Sequence, residues 1–202
     1  MPDITKRALA DSLKKLLAVK PLDKLTVSDL AADCGINRQT FYYHFRDLYD
    51  LIDWTYENDA AACIGANRTY NTWQRGLLGV FGYILQNRAF VLATCREPTR
   101  QHLIGFLYKQ VYQLLYNVAN EAAAGLDVSY ADKAFVAHFY KYGFVGLVLD
   151  WIDRGMTDSP ALLVEKLSVV MEGNLPGALA RLRRETAAPP PGGAPPPAQA
   201  KK

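Results

Sequence analysis

Thr26-Val-Ser-Asp-Leu-Ala-Ala-Asp-Cys-Gly-Ile-Asn-Arg-Gln-Thr-Phe-Tyr-Tyr-His-Phe-Arg-Asp-Leu-Tyr-Asp-Leu51 reads as a short helix, a glycine turn and a second short helix. Thr26 suits an N-cap, because its hydroxyl accepts a hydrogen bond from an unpaired first-turn amide. Asp29 adds negative charge at the positive end of that helix. Val27, Leu30, Ala31 and Cys34 recur at helical spacing and give it one apolar face. Gly35 stands where the chain must take a positive φ to leave the helix, and Asn37 recaps the chain for the next one. Ile36 plugs the angle between the two.

From Arg38 to Phe45 the apolar face is narrow. Phe41 and Phe45, four residues apart, turn inward, which leaves Arg38, Gln39, Thr40, Tyr42, Tyr43 and His44 outside. A helix presented to the major groove of DNA has this make-up. Arginine grips guanine, and glutamine adenine, through paired hydrogen bonds worth about 1–3 kcal/mol of discrimination each. Thr40, Tyr42 and His44 suit phosphate oxygens, and tyrosine or threonine also fits a thymine methyl. The competing reading is a plain helical hairpin with an aromatic core. Six outward polar or aromatic side chains in one short stretch favour DNA.

The first 51 or so residues resemble the DNA-binding domain of the TetR family of bacterial transcriptional regulators. The resemblance rests on Leu-Thr-Val-Ser-Asp-Leu-Ala, Cys-Gly-Ile-Asn-Arg-Gln-Thr-Phe-Tyr-Tyr-His-Phe and Asp-Leu-Tyr-Asp-Leu-Ile, in that order and spacing. It implies base-edge contacts from Arg38 and Gln39. It also implies phosphate or thymine-methyl contacts from Thr26, Ser28, Thr40, Tyr42, Tyr43 and His44. Family members usually place a phosphate-holding lysine at the start of the fourth helix, where this chain has Leu48. Arg46 is expected to compensate; otherwise affinity is weaker and less dependent on salt.

Charge does not argue for DNA. The net charge is +3, but the chain from Arg181 onward carries five basic residues and one acidic, so the preceding residues sum to −1. Half of the residues are hydrophobic, enough for a substantial core. No apolar run reaches the roughly 18 residues of a membrane helix, and no secretory signal opens the chain. Three cysteines, Cys34, Cys63 and Cys95, lie far apart, which fits a reducing cytoplasm; no membrane partner is expected.

Beyond the reader, the pattern predicts an all-α fold, with no period-2 alternation anywhere. Ile4, Ala8, Leu9, Leu13, Leu16 and Leu17 form the stripe of a first helix, closing a three-helix DNA-binding domain over residues 1–50. A larger helical ligand-binding and dimerisation domain is expected over 51–185. Its helices are predicted at 48–65, with Leu51, Ile52 and Tyr56 buried, then 73–86, a short one ending before Pro98, 102–124, 130–154 and 160–172. A break at Gly173-Asn174-Leu175-Pro176 precedes a last short helix to about residue 185. Residues 186–202 hold six of the eleven prolines and no large apolar side chain, which predicts a disordered, partly polyproline tail.

The segment Phe139-Tyr-Lys-Tyr-Gly-Phe-Val-Gly-Leu-Val-Leu-Asp-Trp-Ile-Asp-Arg-Gly-Met is apolar nearly all round, so both sides need cover. Gly143 and Gly146 lie on neighbouring turns and each costs about 1 kcal/mol of helix propensity, which makes sense where a second backbone comes close. With Leu162, Leu163, Lys166, Val169 and Val170 on the next helix, they predict a four-helix homodimer interface through Phe139, Gly143, Gly146, Leu149, Leu163 and Val170. The alternative is that both helices are monomer core. A dimer would let two reading helices engage a palindrome.

Aromatic residues crowd the middle: Trp54, Trp73, Phe81, Tyr83, Phe90, Phe106, Tyr108, Tyr112, Tyr116, Phe139 and Tyr142. The family resemblance implies a small-molecule effector cavity there, whereas helical spacing alone equally fits plain core. Arg88, Arg96 and Arg100 are candidates to hold an acidic ligand. The body is also similar to a branch of the family labelled activators of dihydroxyacetone kinase operons, some members of which take a co-regulator protein.

The expected function is sequence-specific binding to double-stranded, palindromic operator DNA as a homodimer, with an effector-controlled repressor as the leading reading. The alternatives are an activator acting with a co-regulator protein and a zinc sensor built from Cys63, Cys95, His102 and His138. An enzyme is not expected: no glycine-rich phosphate loop, nucleophile elbow or His-Glu zinc motif occurs, and neither a cofactor nor a resident metal is implied.

Overall fold

A computed structural model describes residues 2–64, 67–96 and 98–183. Among the described residues there are ten α-helices, one 3₁₀ turn and no strand. The reader comprises α1 (Pro2–Leu17), α2 (Val27–Asp33) and α3 (Arg38–His44). The body comprises α4 (Leu48–Ile64), α5 (Trp73–Gln86), α6 (Arg88–Thr94), α7 (Arg100–Ala122), α8 (Tyr130–Asp153), α9 (Pro160–Met171) and α10 (Asn174–Leu182).

Leu9 and Leu13 of α1, Leu30 of α2 and Phe41 of α3 are fully buried together, so two seven-residue helices too short to persist alone share one core with α1. Leu51 and Ile52 of α4 continue that core and Tyr56 carries it into the body. There α7 and α8 form the most extensively packed pair; α5 lies against α4, α7 and α9, and α10 bridges α7, α8 and α9.

Rings set the body's geometry. Tyr56 sits between Phe90 at 4.8 Å and Phe106 at 4.9 Å, and its hydroxyl meets Thr94 Oγ1 at 2.5 Å. Phe81 meets Trp151 edge-on at 4.9 Å, while the Trp151 indole donates to the Asp158 carbonyl at 2.8 Å. A fully buried tryptophan is tolerated here because its one donor is paired.

Most predicted boundaries agree with the observed ones to within one or two residues. Ile4 and Ala8 do not join the buried α1 stripe; both are exposed, Ile4 to 73%, because the core takes the face of Leu9, Leu13 and Leu17. A 3₁₀ turn at Leu22–Lys24, unmarked by any periodicity, carries the chain from α1 to α2. The break at 173–176 is narrower than expected. Gly173 alone takes the left-handed conformation, at φ 71°, and α10 starts at Asn174. Pro176 then falls in the first turn, where its missing N–H removes no intrahelical bond. The expected tail, 186–202, lies outside the described residues, as do Gly65 and the Cys63 side chain.

Phe81→Ala should remove the edge contact that seats Trp151 and lower stability by about 3–5 kcal/mol. Urea unfolding followed by tryptophan fluorescence measures this, and a loss below 1 kcal/mol would show that the pair does not organise the body.

Candidate nucleic-acid interface

α2 begins with a full capping box. The Asp29 amide donates to Thr26 Oγ1 at 3.2 Å, while the Thr26 amide and hydroxyl donate to Asp29 Oδ2 at 2.8 and 2.7 Å. Lys20 Nζ reaches the same oxygen at 2.6 Å. The Lys20 ammonium, with the Thr26 hydroxyl and amide, holds the Asp29 carboxyl down at about 2. At the other end of α2, Asp33 accepts from Ser12 Oγ at 2.8 Å and from Lys15, so α1 grips both termini of α2 through side chains and linker. Lys15, with Ser12, likewise lowers the Asp33 carboxyl.

The turn follows the expected chemistry. Gly35 has φ 65°, and the amides of Gly35 and Ile36 donate to the carbonyls of Ala32 and Ala31, closing the end of α2. Asn37 Oδ1 then accepts from the Thr40 amide at 2.8 Å and caps α3. Phe41 and Phe45 are buried and lie 5.8 Å apart, ring to ring; Phe45 packs edge-on against Trp54. Lys6 sits over both the Phe45 and Trp54 rings.

These two anchors leave the rest of α3 outside. Arg38, Gln39, Tyr42 and Tyr43 are exposed, Tyr43 to 83%, and Thr40 and His44 are half-buried. The Arg38 guanidinium stands 5.9 Å from the Tyr42 ring centre, and Tyr43 meets His44 edge-on at 5.0 Å. Thr26 and Ser28 are exposed at the start of α2. The hydroxyl protons of Thr26 and Thr40 are already donated, to Asp29 and to Asn37 Oδ1. A hydrogen bond from either hydroxyl to a phosphate oxygen has to displace that donation.

Arg46 is exposed, but its amide and Nε both approach Asp50 Oδ2, at 2.9 and 3.5 Å. Leu48 is half-buried against the core, and Asp47 caps α4 by accepting from the Asp50 amide at 2.8 Å. Leu48 therefore occupies the position of the missing lysine as a packing residue.

Side chains tie the reader to the body, and α4 in turn to α7. Lys14 of α1 pairs with Asp59 of α4 at 2.6 Å, and the Tyr83 hydroxyl of α5 donates to the same Asp59 oxygen at 2.9 Å. On α4, Tyr49 stacks on His102 of α7, with rings 5.8 Å apart and within 2° of parallel, and His102 Nδ1 lies 2.6 Å from Asp53. None of Lys20, Ser12, Lys15 or the Tyr49–His102 stack was legible as part of the site. Asp29 and Asp33 signalled helix termini, but nothing in spacing names their partners.

In the body, Trp73, Phe81, Tyr83, Phe90 and Phe106 are buried, Tyr83 against Phe106, Trp73 against Phe144, Phe81 against Trp151 and Phe90 against Tyr56, whereas Phe139 and Tyr142 stand exposed. An open groove of about 580 Å³ runs between α4 and α7, past Asp53, His102, Lys109 and Gln110. Arg100 is held by both Asp153 oxygens, at 3.0 and 2.8 Å, and by the Cys95 carbonyl, so it is a structural clasp between α7 and α8 and not an open anion holder. The zinc constellation does not assemble among the described residues: Cys95 bonds the Leu92 carbonyl, His102 meets Asp53 and His138 meets Lys141.

Most of the expected interface residues are exposed in the protomer. Phe139, Gly143, Gly146 and Val170 are exposed, Leu149 and Leu163 half-buried, and nothing in the protomer comes within 4 Å of a Cβ built on either glycine. Among the described residues no single helix is long and apolar enough to cross a membrane.

Residues 9–53 match the family model for bacterial regulatory proteins of the tetR family, and residues 71–173 match that of a transcriptional regulator C-terminal region. The chain is 36% identical over 155 residues to the HTH-type dhaKLM operon transcriptional activator DhaS of Lactococcus lactis subsp. lactis (strain IL1403), covering 75% of this chain and 81% of that one. A solved structure of a dihydroxyacetone kinase operon activator DhaS superposes with TM-score 0.68 at 25% identity, over 90% of this chain and 99% of the other. NalD of Pseudomonas aeruginosa, the secondary repressor of the MexAB-OprM multidrug efflux pump, shares the fold with TM-score 0.54 at 15% identity, over 84% and 96%.

The capping box has a pH signature. Because Asp29 is depressed from 3.8 to about 2, its contribution is complete above pH 3.8 and is lost as pH falls through that interval. Asp29→Asn should lower the thermal midpoint at neutral pH, and the gap to the native chain should close between pH 4 and 2. A gap that persists to pH 2 would exclude the carboxylate as its source.

Proposed function

Because the chain belongs to the TetR family of bacterial transcription regulators, we propose that it reads palindromic operator DNA as a homodimer, with α3 of each protomer in the major groove. The observation that carries this reading is the division of α3 into two buried phenylalanines and an exposed polar and aromatic surface. Arg38 and Gln39, in the first turn, reach base edges, as recognition helices do through their N-terminal residues. Tyr42, Tyr43, His44 and Thr40 contact phosphates or thymine methyls, with Ser28 and Thr26 at the start of α2 and Arg46 at the flank. Residues 1–50 act as the reader and 51–185 as the regulatory and dimerisation unit. The family consists of regulators, not enzymes.

The dimer forms through Phe139, Gly143, Gly146 and Leu149 of α8 with Leu163 and Val170 of α9. Their exposure supports this reading, and so does the open space over both glycines, which lets a partner backbone come close. Two protomers place their α3 helices about 34–36 Å apart, one turn of duplex.

Activation is the better-supported direction of control. The relative at 36% identity is named an activator, whereas the named repressor shares only the fold. The control input is a co-regulator protein in preference to an enclosed small molecule, because the aromatic interior is spent on ring-to-ring packing. The protein works in the cytoplasm, where its operator is.

Selection of bound fragments from genomic DNA tests the reading as a whole: an enriched inverted repeat is the expected outcome, and no enrichment at low salt overturns it. Within such a site, Arg38→Ala should relax preference at one position by about 1–3 kcal/mol, and Tyr42→Ala should weaken all sequences alike. An unaltered selected motif for Arg38→Ala would remove that residue from base reading. Gly146→Leu should convert dimer to monomer in sedimentation, and a persistent dimer would move the interface elsewhere.

A further inference from the structure

Lys6 reaches from α1 to the corner where α3 passes into α4. Its ammonium lies 5.4 Å from the centre of the Phe45 ring, the residue that closes α3, and 5.8 Å from that of Trp54 on α4. Four other cations of the reader, Lys14, Lys15, Lys20 and Arg46, lie 2.5–3.5 Å from a carboxylate. Lys6 has no such partner among the described residues; two ring faces hold it instead. A ring attracts a cation through its quadrupole but carries no net charge, so the ammonium is positioned without being neutralised.

Arg46, Asp47 and Asp50 complete the corner. The Arg46 side chain is 86% exposed, and of its guanidinium nitrogens Nε alone has a protein partner among the described residues, Asp50 at 3.5 Å. Both carboxylates are turned onto backbone amides: Asp50 Oδ2 accepts from the Arg46 amide at 2.9 Å, and Asp47 Oδ1 from the Asp50 amide at 2.8 Å. The Arg46 amide, helped by the Arg46 guanidinium and the Lys6 ammonium, holds the Asp50 carboxyl below its usual range. Asp50 thus sits in the field of both cations. Leu48, the first residue of α4, is packed against the core and offers no charge of its own.

We propose that Lys6 and Arg46 together hold a phosphate of the operator backbone at the C-terminal end of α3, with Lys6 supplying from α1 the cation that the first residue of α4 lacks. This rests on the reading of α3 as the recognition helix. When the first turn of such a helix meets base edges, its far end and the neighbouring helix lie against the sugar-phosphate backbone. The two side chains suit different parts of that task. The free nitrogens of the guanidinium fork bond phosphate oxygens directly, while the ammonium acts as a point charge on a long stem. With that stem laid over two rings, little of its rotamer freedom remains to be lost on binding.

Salt dependence tests the assignment on the full-length chain, with a duplex recovered from the genomic selection and fluorescence anisotropy between 50 and 200 mM potassium chloride. Each phosphate contact removed lowers the slope of log Kd against log salt by about 0.9. With both protomers of a dimer engaged, Lys6→Gln should bind more weakly at 50 mM, and its loss of affinity across that range should be about tenfold smaller than the native chain's. Lys6→Met, which keeps an unbranched stem over the rings, should behave alike. Lys6→Arg should restore the native slope, and Lys109→Gln, on the body, should leave it unchanged. A native slope in both Lys6→Gln and Lys6→Met would overturn the assignment and make Lys6 a structural cation, whatever happens to their thermal midpoints. That result would leave the DNA reading intact, whereas a native chain that binds no duplex at 50 mM would overturn both.

Discussion

Everything the reader does depends on two side chains being hidden. α3 is a seven-residue helix, far shorter than one that persists alone in water, so its conformation is borrowed from the core that Phe41 and Phe45 enter. Once those rings are fixed, helical geometry sets where Arg38, Gln39, Tyr42 and Tyr43 must point. The reading surface is thus a by-product of anchoring. It also explains the care taken with α2: the capping box at Thr26 and Asp29, and the Ser12 and Lys15 grip on Asp33, hold the other wall of the pocket that receives Phe41.

Recognition is useful to a regulator only if the angle of the reader answers to the body. α4 is the shared member, since its first half continues the reader's core through Leu51 and Ile52 while Tyr56 is clamped between Phe90 and Phe106. The Tyr49–His102 stack and the Asp59 junction with Lys14 and Tyr83 sit on either side of that helix. The Lys14–Asp59 pair is part-buried and also takes the Tyr83 hydroxyl, which fixes where α1, α4 and α5 meet.

The body divides its aromatics between two tasks. Those facing inward join α4 to α6 and α7, and α5 to α7 and α8. Those facing outward, Phe135, Phe139 and Tyr142, lie on α8 where monomer packing offers them nothing. An outer face of this kind, beside two exposed glycines, is the surface on which the proposed dimer rests.

Much of this was legible in the linear chain. Thr26, Gly35 and Asn37 marked the helix-turn-helix because caps and a positive φ are local requirements, met within four residues of where they are written. The all-α class and most helix limits followed from periodicity, also local. What the sequence could not decide was which apolar surfaces face each other. Ile4 fits the α1 stripe yet projects into solvent, and the central aromatics have a spacing equally suited to a cavity wall or a solid core; only packing made them core. Arg100 looked available for an anion until Asp153, fifty-three residues away, took it. Spacing along a chain fixes the direction of a side chain from its own helix, but the partner it meets is set by how distant helices dock, and that is decided in three dimensions.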